Sequence, residues 1–398
     1  MKLDTRFLFL NVGHAIDHML MLLFPTLAVV MIFNSEDSYA SSLILSTGSF
    51  VAFGTFSLLA GWMADRWSRE NMMTIFFIGI GIMTASISLL SDPVHIAIGL
   101  FLIGVFAAIY HPVGIAMVSQ GGGQVGKRLG INGVWGNMGV ALAAPVAWGL
   151  AEFGGWQTAF LVCGAVSVAI GLAWMLYLRG KAGRAEVAHG QAVRKKKTEP
   201  AANWKQVLIV VAIATAFGGF IFNSTTVALP KVFDERVMAV AENATQAGGL
   251  VAAVFAVAAF TQVLVGYLID RYSIKMVFLT LSVADIAIFV VASSATDSLM
   301  FATALAMMAM VFGQIPITDT LVARNTPEAW RARVYSVKYV ISFVVAATVV
   351  PSIAYLHEFA EGFTDLFMIC AVCATVISLA VLMLPSAKPA VAEAAGDD

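Results

Sequence analysis

Four polar residues share one face of the first apolar stretch of this chain. Asn11, His14, Asp17 and His18 stand at i, i+3, i+6 and i+7, spacings that stack side chains along one side of an α-helix. A further imidazole, His111, sits in a second apolar stretch as Tyr110-His111-Pro112. Histidine and aspartate held in such surroundings can do three kinds of work. Buried and paired, they can load and release a proton near neutral pH. Pooled, His14, Asp17 and His18 read as H-x-x-D-H. With His111 they make a nitrogen-and-oxygen ligand set for a divalent metal, or a direct contact for an anionic solute. Hydrogen-bonded to one another, they can simply hold two helices together. The run is one methylene short of the H-x-x-E-H pattern of metallohydrolases. A zinc hydrolase also needs a third ligand and a base positioned around an open metal site, and nothing else in the chain supports that arrangement. The leading expectation is therefore proton coupling at Asp17 with His14 or His18, with no metal or other cofactor assigned and no enzyme activity.

The elements that carry these residues are set by composition. Hydrophobic residues make up 60% of the 398 positions and charged residues only 12%, with a mean hydropathy of +0.87. Soluble domains carry about twice that share of charge, so the solvent for most of this chain is a lipid bilayer. The net charge of −1 gives no basis for a nucleic-acid partner. Cys163, Cys370 and Cys373 all fall inside apolar segments and suggest no disulfide framework. Cys370 and Cys373 form a CxxC on one helix face, which reads as small thiols packing a helix interface. Lys2 and Arg6 precede an apolar run to Phe33, too long for a signal-peptide core and read as a retained first span.

Runs long enough to cross roughly 30 Å of hydrocarbon lie near 7–33, 41–64, 72–91, 93–119, 129–151 and 157–178, then 206–230, 246–269, 276–295, 298–322, 334–356 and 362–384. The expected fold is all-α, with twelve spans in two six-helix bundles, 1–179 and 205–398. Residues 180–204 form a cytoplasmic linker containing Arg194-Lys195-Lys196-Lys197. With both termini in the cytoplasm, all of the 23 Lys and Arg except Lys231, Arg236 and Lys338 fall on the cytoplasmic side, as the positive-inside rule requires. The expected external loops are acidic or bare, at Glu36-Asp37, Asp92, Glu152, Asp297 and Glu358.

The two bundles also read as copies. Gly61-Trp62-Met63-Ala64-Asp65-Arg66 through Arg69 recurs 205 positions later as Gly266-Tyr267-Leu268-Ile269-Asp270-Arg271, the mark of a duplicated unit. At the same offset Leu23-Phe24-Pro25 meets Ala228-Leu229-Pro230, and Arg128 meets Arg333. His111-Pro112 meets Ile315-Pro316 with a one-residue slip.

These residues resemble the major facilitator superfamily. Gly61, Asp65, Arg66 and Arg69 match its loop motif G-x-x-x-D-R-x-x-R/K, and Gly155-Trp156-Gln157-Thr158-Ala159-Phe160 is similar to its G-W-x-x-x-F entry to span 6. Within the superfamily, His18 with Leu20 through Pro25, Tyr110-His111-Pro112, and Gly133 through Pro145 look like the fosmidomycin-resistance-like drug-efflux branch. The resemblance implies alternating access, with spans 1, 4, 7 and 10 lining a cavity. It also implies a cytoplasmic gate of Gly61, Asp65, Arg66, Arg69, Arg128, Gly266, Asp270, Arg271 and Arg333. Two departures weaken a standard proton–drug antiporter. Leu100 stands where many members carry an arginine four residues before Gly104, and Ala144-Pro145 replaces the Gly-Pro that ends the antiporter signature.

The expected cavity residues are Asn11, His111, Asn223, Gln314, Asp319, Tyr335, Lys338 and Tyr339. Asp285, in a span usually peripheral, is either a helix-packing contact or a sign of a misplaced span. The expectation is a monomeric inner-membrane transporter that exports a small drug-like or anionic organic solute in exchange for protons. Uptake by symport or facilitated diffusion, of an organic anion, a metal or a metal complex, is the alternative within transport. A transporter-like sensor or assembly protein is the alternative outside it.

Overall fold

Backbone N–H and C=O groups in hydrocarbon find no water, so an apolar run of twenty residues satisfies them internally as a helix. The computed structural model describes residues 5–28, 31, 38–119, 125–180, 204–237, 244–326 and 328–385, and every regular element among them is helical. The expected linker around Arg194-Lys195-Lys196-Lys197 lies outside the described residues, as do Glu36 and Asp37.

Among the described residues, twelve helices are long and apolar enough to span a bilayer. Spans 1 to 6 are Thr5–Leu27, Tyr39–Ala64, Arg69–Ile87, Pro93–Val118, Arg128–Gly154 and Trp156–Arg179. Spans 7 to 12 are Trp204–Arg236, Gln246–Ile269, Ile274–Ser294, Asp297–Val322, Val340–Phe359 and Phe363–Leu382. The all-α, twelve-span expectation holds, and this is a multi-pass membrane protein.

Span 7 departs from the sequence expectation at its end. The helix runs through Pro230 to Arg236 instead of stopping near 230. Lys231 pairs with Asp234 at 2.7 Å and Glu235 at 3.4 Å, one turn on. The Arg236 guanidinium donates to the carbonyls of Ala292 and Ser293 at 3.1 and 3.0 Å, at the C-terminal end of span 9. These contacts prolong the helix past the proline.

The chain divides into two compact units, Met1–Lys195 with Ala244–Ala252, and Lys196–Asn243 with Ala253–Asp398. Within the first, span 3 packs on 6, span 1 on 5 and span 2 on 4; within the second, span 9 packs on 12 and span 7 on 11. Two of these pairings repeat with a shift of six, as a duplicated unit should.

Small residues set the tightest approaches. A methyl at Gly139 on span 5 would lie 2.1 Å from the Ala15 carbonyl of span 1, and one at Gly104 on span 4 would lie 2.1 Å from that of Ser49 on span 2. At the start of span 4, Asp92 accepts from the backbone N–H groups of Val94 and His95, both at 3.0 Å. Those bonds, with the neighbouring His95 ring, hold its carboxyl below the ordinary aspartate value.

Candidate functional site

Span 4 carries the local irregularity that builds the site. Pro112 has no N–H to give the Ala108 carbonyl one turn back. Tyr110–Gly114 accordingly winds as a π-helical turn, a form that recurs at functional sites. The Ser57 hydroxyl of span 2, shared with the Phe53 carbonyl of its own helix at 2.7 Å, reaches the freed Ala108 carbonyl at 3.1 Å. Gly61, first residue of the charged-turn motif, lies directly against this turn, where a methyl would sit 3.3 Å from Pro112 Cβ.

The π turn presents His111 to span 1. Its ring meets those of His14 and His18 edge-on, with centroids at 5.3 and 5.4 Å. His111 Nε2 lies 3.4 Å from Asp17 Oδ2. His18 Nε2 lies 3.2 Å from His14 Nε2, so the residues expected to meet across spans 1 and 4 do so. Asp17 is fully buried, and neither of its carboxylate oxygens accepts a hydrogen bond. His14 is buried, while His18 and His111 are partly exposed.

Span 5 contributes what the sequence reading missed. His14 Nδ1 lies 2.8 Å from the backbone carbonyl of Asn132. A carbonyl can only accept, so Nδ1 carries a hydrogen, and Nε2, the bare nitrogen whenever the ring is neutral, faces His18. The Asn132 side chain donates to Asn11 Oδ1 at 2.9 Å and to the Tyr110 hydroxyl at 3.0 Å. That hydroxyl in turn lies 2.7 Å from the Leu10 carbonyl. Asn11 is thus tied to span 5. Gly136, one turn beyond Asn132, leaves the room that the His14 ring occupies, because a methyl there would fall 2.7 Å from it. Tyr110 stacks on His14 with centroids 4.8 Å apart.

In the second unit the expected cavity residues have other neighbours. Asn223 donates to the Gly219 carbonyl of its own helix at 2.7 Å. Gln314 donates to Asp285, and Asp285 is fully buried between spans 9 and 10. This is a helix-packing contact, the first of the two readings its position allowed. Lys338 pairs with Asp319 and donates to Thr318 at 3.1 Å, linking span 10 to the helix that becomes span 11. The side chains of Tyr335, Tyr339 and Arg333 lie outside the described residues, as do those of Asp65 and Asp270.

The described parts of the expected gate are ordered locally. Arg66 covers the Trp62 ring at 4.4 Å and Arg271 covers the Tyr267 ring at 4.1 Å, the same i, i+4 stack in each copy of the motif. Arg128 lies over Phe7 at 4.2 Å and donates to the Val118 carbonyl at 3.3 Å. Beside it, buried Arg6 pairs with Glu70 at 2.9 Å, which fixes the start of span 1 against the start of span 3.

Twelve spans in two like units, with a buried polar cluster inside one, define the class of polytopic secondary transporters. The model of the Major Facilitator Superfamily matches residues 9–351, and the chain belongs to that family. Among solved structures, it is similar to the inward-open xylose transporter XylE of E. coli, at 12% identity over 98% of this chain and 99% of that one, with a TM-score of 0.75. A D-xylose–proton symporter matches at 15% identity over 96% and 98%, with a TM-score of 0.72. A peptide transporter crystallised with sulfate matches at 13% over 95% and 94%, also with a TM-score of 0.72. No curated protein sequence matches.

Proposed function

We propose that this secondary transporter is proton-coupled and exports a small organic solute, with Asp17 carrying the coupling proton. One observation supports the reading above the others. A fully buried carboxylate with no hydrogen-bond donor on either oxygen stands 3.4 Å from an imidazole inside a bilayer-spanning bundle. A bare charge there is costly, so a proton or a cation must neutralise it. Alternating exposure to the two sides of the membrane then turns neutralisation into coupling. His111 is the nearest group to receive the proton, and the His14–His18 pair lies beside it.

On this reading the bundles 1–179 and 205–398 are the moving bodies. The two charged turns, with Arg128 and Arg333, form the cytoplasmic gate. Both termini lie in the cytoplasm and the membrane is the inner membrane. The solute class, drug-like or anionic, follows from the resemblance to the efflux branch. Lys338 and its partner Asp319 in the second unit are the charged pair placed to respond to an anion.

The test is solute-driven proton movement in reconstituted vesicles under an imposed pH gradient, across a panel of antibiotics and organic anions. A solute that dissipates the gradient with wild type and fails to do so with folded Asp17→Asn supports the assignment. Uphill transport by Asp17→Asn at the wild-type level removes Asp17 from the coupling role.

A further inference from the structure

Two separate features of the first unit prepare its histidines for something other than one another. Three ligand atoms, one each from His14, His18 and His111, lie within 4.8 Å of one another. One of the three rings is also held from behind by an oxygen, and a second faces one. The Asn132 carbonyl takes His14 Nδ1 at 2.8 Å, and the Asp17 carboxylate faces His111 Nε2 at 3.4 Å. Such outer contacts are how metal-binding imidazoles are oriented, with the oxygen on one nitrogen and the ion on the other.

Spacing agrees with the pattern. Nitrogens about 2.0–2.1 Å from one tetrahedral ion stand about 3.3 Å apart. The His14 and His18 Nε2 atoms are 3.2 Å apart, and one ligand atom of each of the three histidines lies within 4.8 Å of the others. His18 and His111 are partly exposed, the His111 side chain to 16%, so the cluster is not sealed from an incoming ion. Buried Asp17 supplies the negative charge that a divalent ion needs at low dielectric.

We infer that His14, His18 and His111 form a binding site for a divalent late transition-metal ion of the zinc and cobalt class, with Asp17 as the orienting carboxylate of His111. Imidazole nitrogens select these ions over magnesium and calcium, which prefer oxygen ligands. Three protein ligands leave a fourth position open, where an anionic solute or water can complete the sphere. The inference stands apart from proton coupling and survives its failure.

The experiment titrates Zn2+ and Co2+ into the full-length chain, purified in detergent at one fixed pH with a tag free of histidine. Binding is read by calorimetry and by the visible absorption of bound Co2+. The expected result is one saturable site per chain, unaffected by excess Mg2+ or Ca2+, with a Co2+ spectrum of nitrogen ligation. It is lost in His18→Ala and His111→Ala and kept in His95→Ala and His357→Ala. Asp17→Asn keeps the site but weakens it roughly 10- to 100-fold. If an alanine variant does not fold, His18→Gln or His111→Gln takes its place, and the wild-type Co2+ spectrum still decides. Absence of saturable binding in folded wild type, or binding that persists in the folded His18 and His111 variants, overturns the inference and leaves a hydrogen-bonded histidine network.

Discussion

At the residue scale, the site was legible where polarity broke into an apolar run and hidden where it did not. His14, Asp17, His18 and His111 stand out because an ionisable group at membrane depth is costly enough to need a reason. Asn132 was passed over because it stands four residues from Arg128, at the start of span 5, where an amide reads as a helix-end residue. Its contribution to His14 also comes from its backbone, which no residue type announces. Two substitutions separate these roles. Asn132→Ala removes the donor to Asn11 and Tyr110 but leaves the carbonyl that holds His14. It should cost about 1–3 kcal/mol through the unpaired Asn11 amide, seen as a lower unfolding temperature in detergent, with coupling largely kept. Gly136→Ala places a methyl 2.7 Å from the His14 ring and should cost about 1–3 kcal/mol by overpacking. Unlike Asn132→Ala, it should also lose transport, because it displaces the ring that faces His18. Equal transport by the two variants would show that the His14 position is irrelevant to function.

The element that matters most is the π turn of span 4. Sequence marks Pro112 as a kink, but a proline can be absorbed by a bend, a water or a widened turn, and the choice depends on what faces the freed carbonyl. Here Ser57 faces it, and Gly61 gives the turn space to lie against span 2. The glycine of a motif expected to serve as a gate thus also packs against the element carrying His111. Gly266, its copy, has nothing comparable nearby. Pro112→Ala restores the missing donor and lets the turn tighten to α. Winding the same residues as α instead of π turns the preceding helix relative to the following one, so His111 should leave Asp17. The expected outcome is a folded, if anything more heat-stable, protein whose proton coupling falls as far as that of His111→Ala. Ser57→Ala does the opposite, leaving the Ala108 carbonyl unpaired at about 1–3 kcal/mol. Full coupling in Pro112→Ala would mean that the π turn is packing only.

At the scale of the whole molecule, the sequence showed the duplication but not its asymmetry. The same helix pairings recur with a shift of six, and both charged turns stack an arginine on the aromatic residue one turn earlier. The chemistry is not duplicated. The first unit carries the histidine–aspartate cluster, whereas the second spends its buried Asp285 on Gln314 and pairs Lys338 with Asp319. Asp285 could not be interpreted from sequence because its partner lies 29 positions away, on a helix whose rotation only packing fixes. What the duplication does carry is orientation, since like units of six spans each must enter the membrane the same way round. Basic residues flank the turns at Arg66 and Arg271, and the connection between spans 3 and 4 carries none, so the positive-inside rule predicts the turns on the cytoplasmic side. Native Cys163, Cys370 and Cys373 are all free and buried, which leaves little background for a thiol label. Leu89→Cys, between spans 3 and 4, and Tyr272→Cys, between spans 8 and 9, replace residues that are 84% and 59% exposed. A membrane-impermeant maleimide added to intact cells should label Leu89→Cys and spare Tyr272→Cys until the membrane is permeabilised. The reverse pattern would invert the topology, placing the charged turns outside and making a cytoplasmic gate at Arg66 and Arg271 impossible.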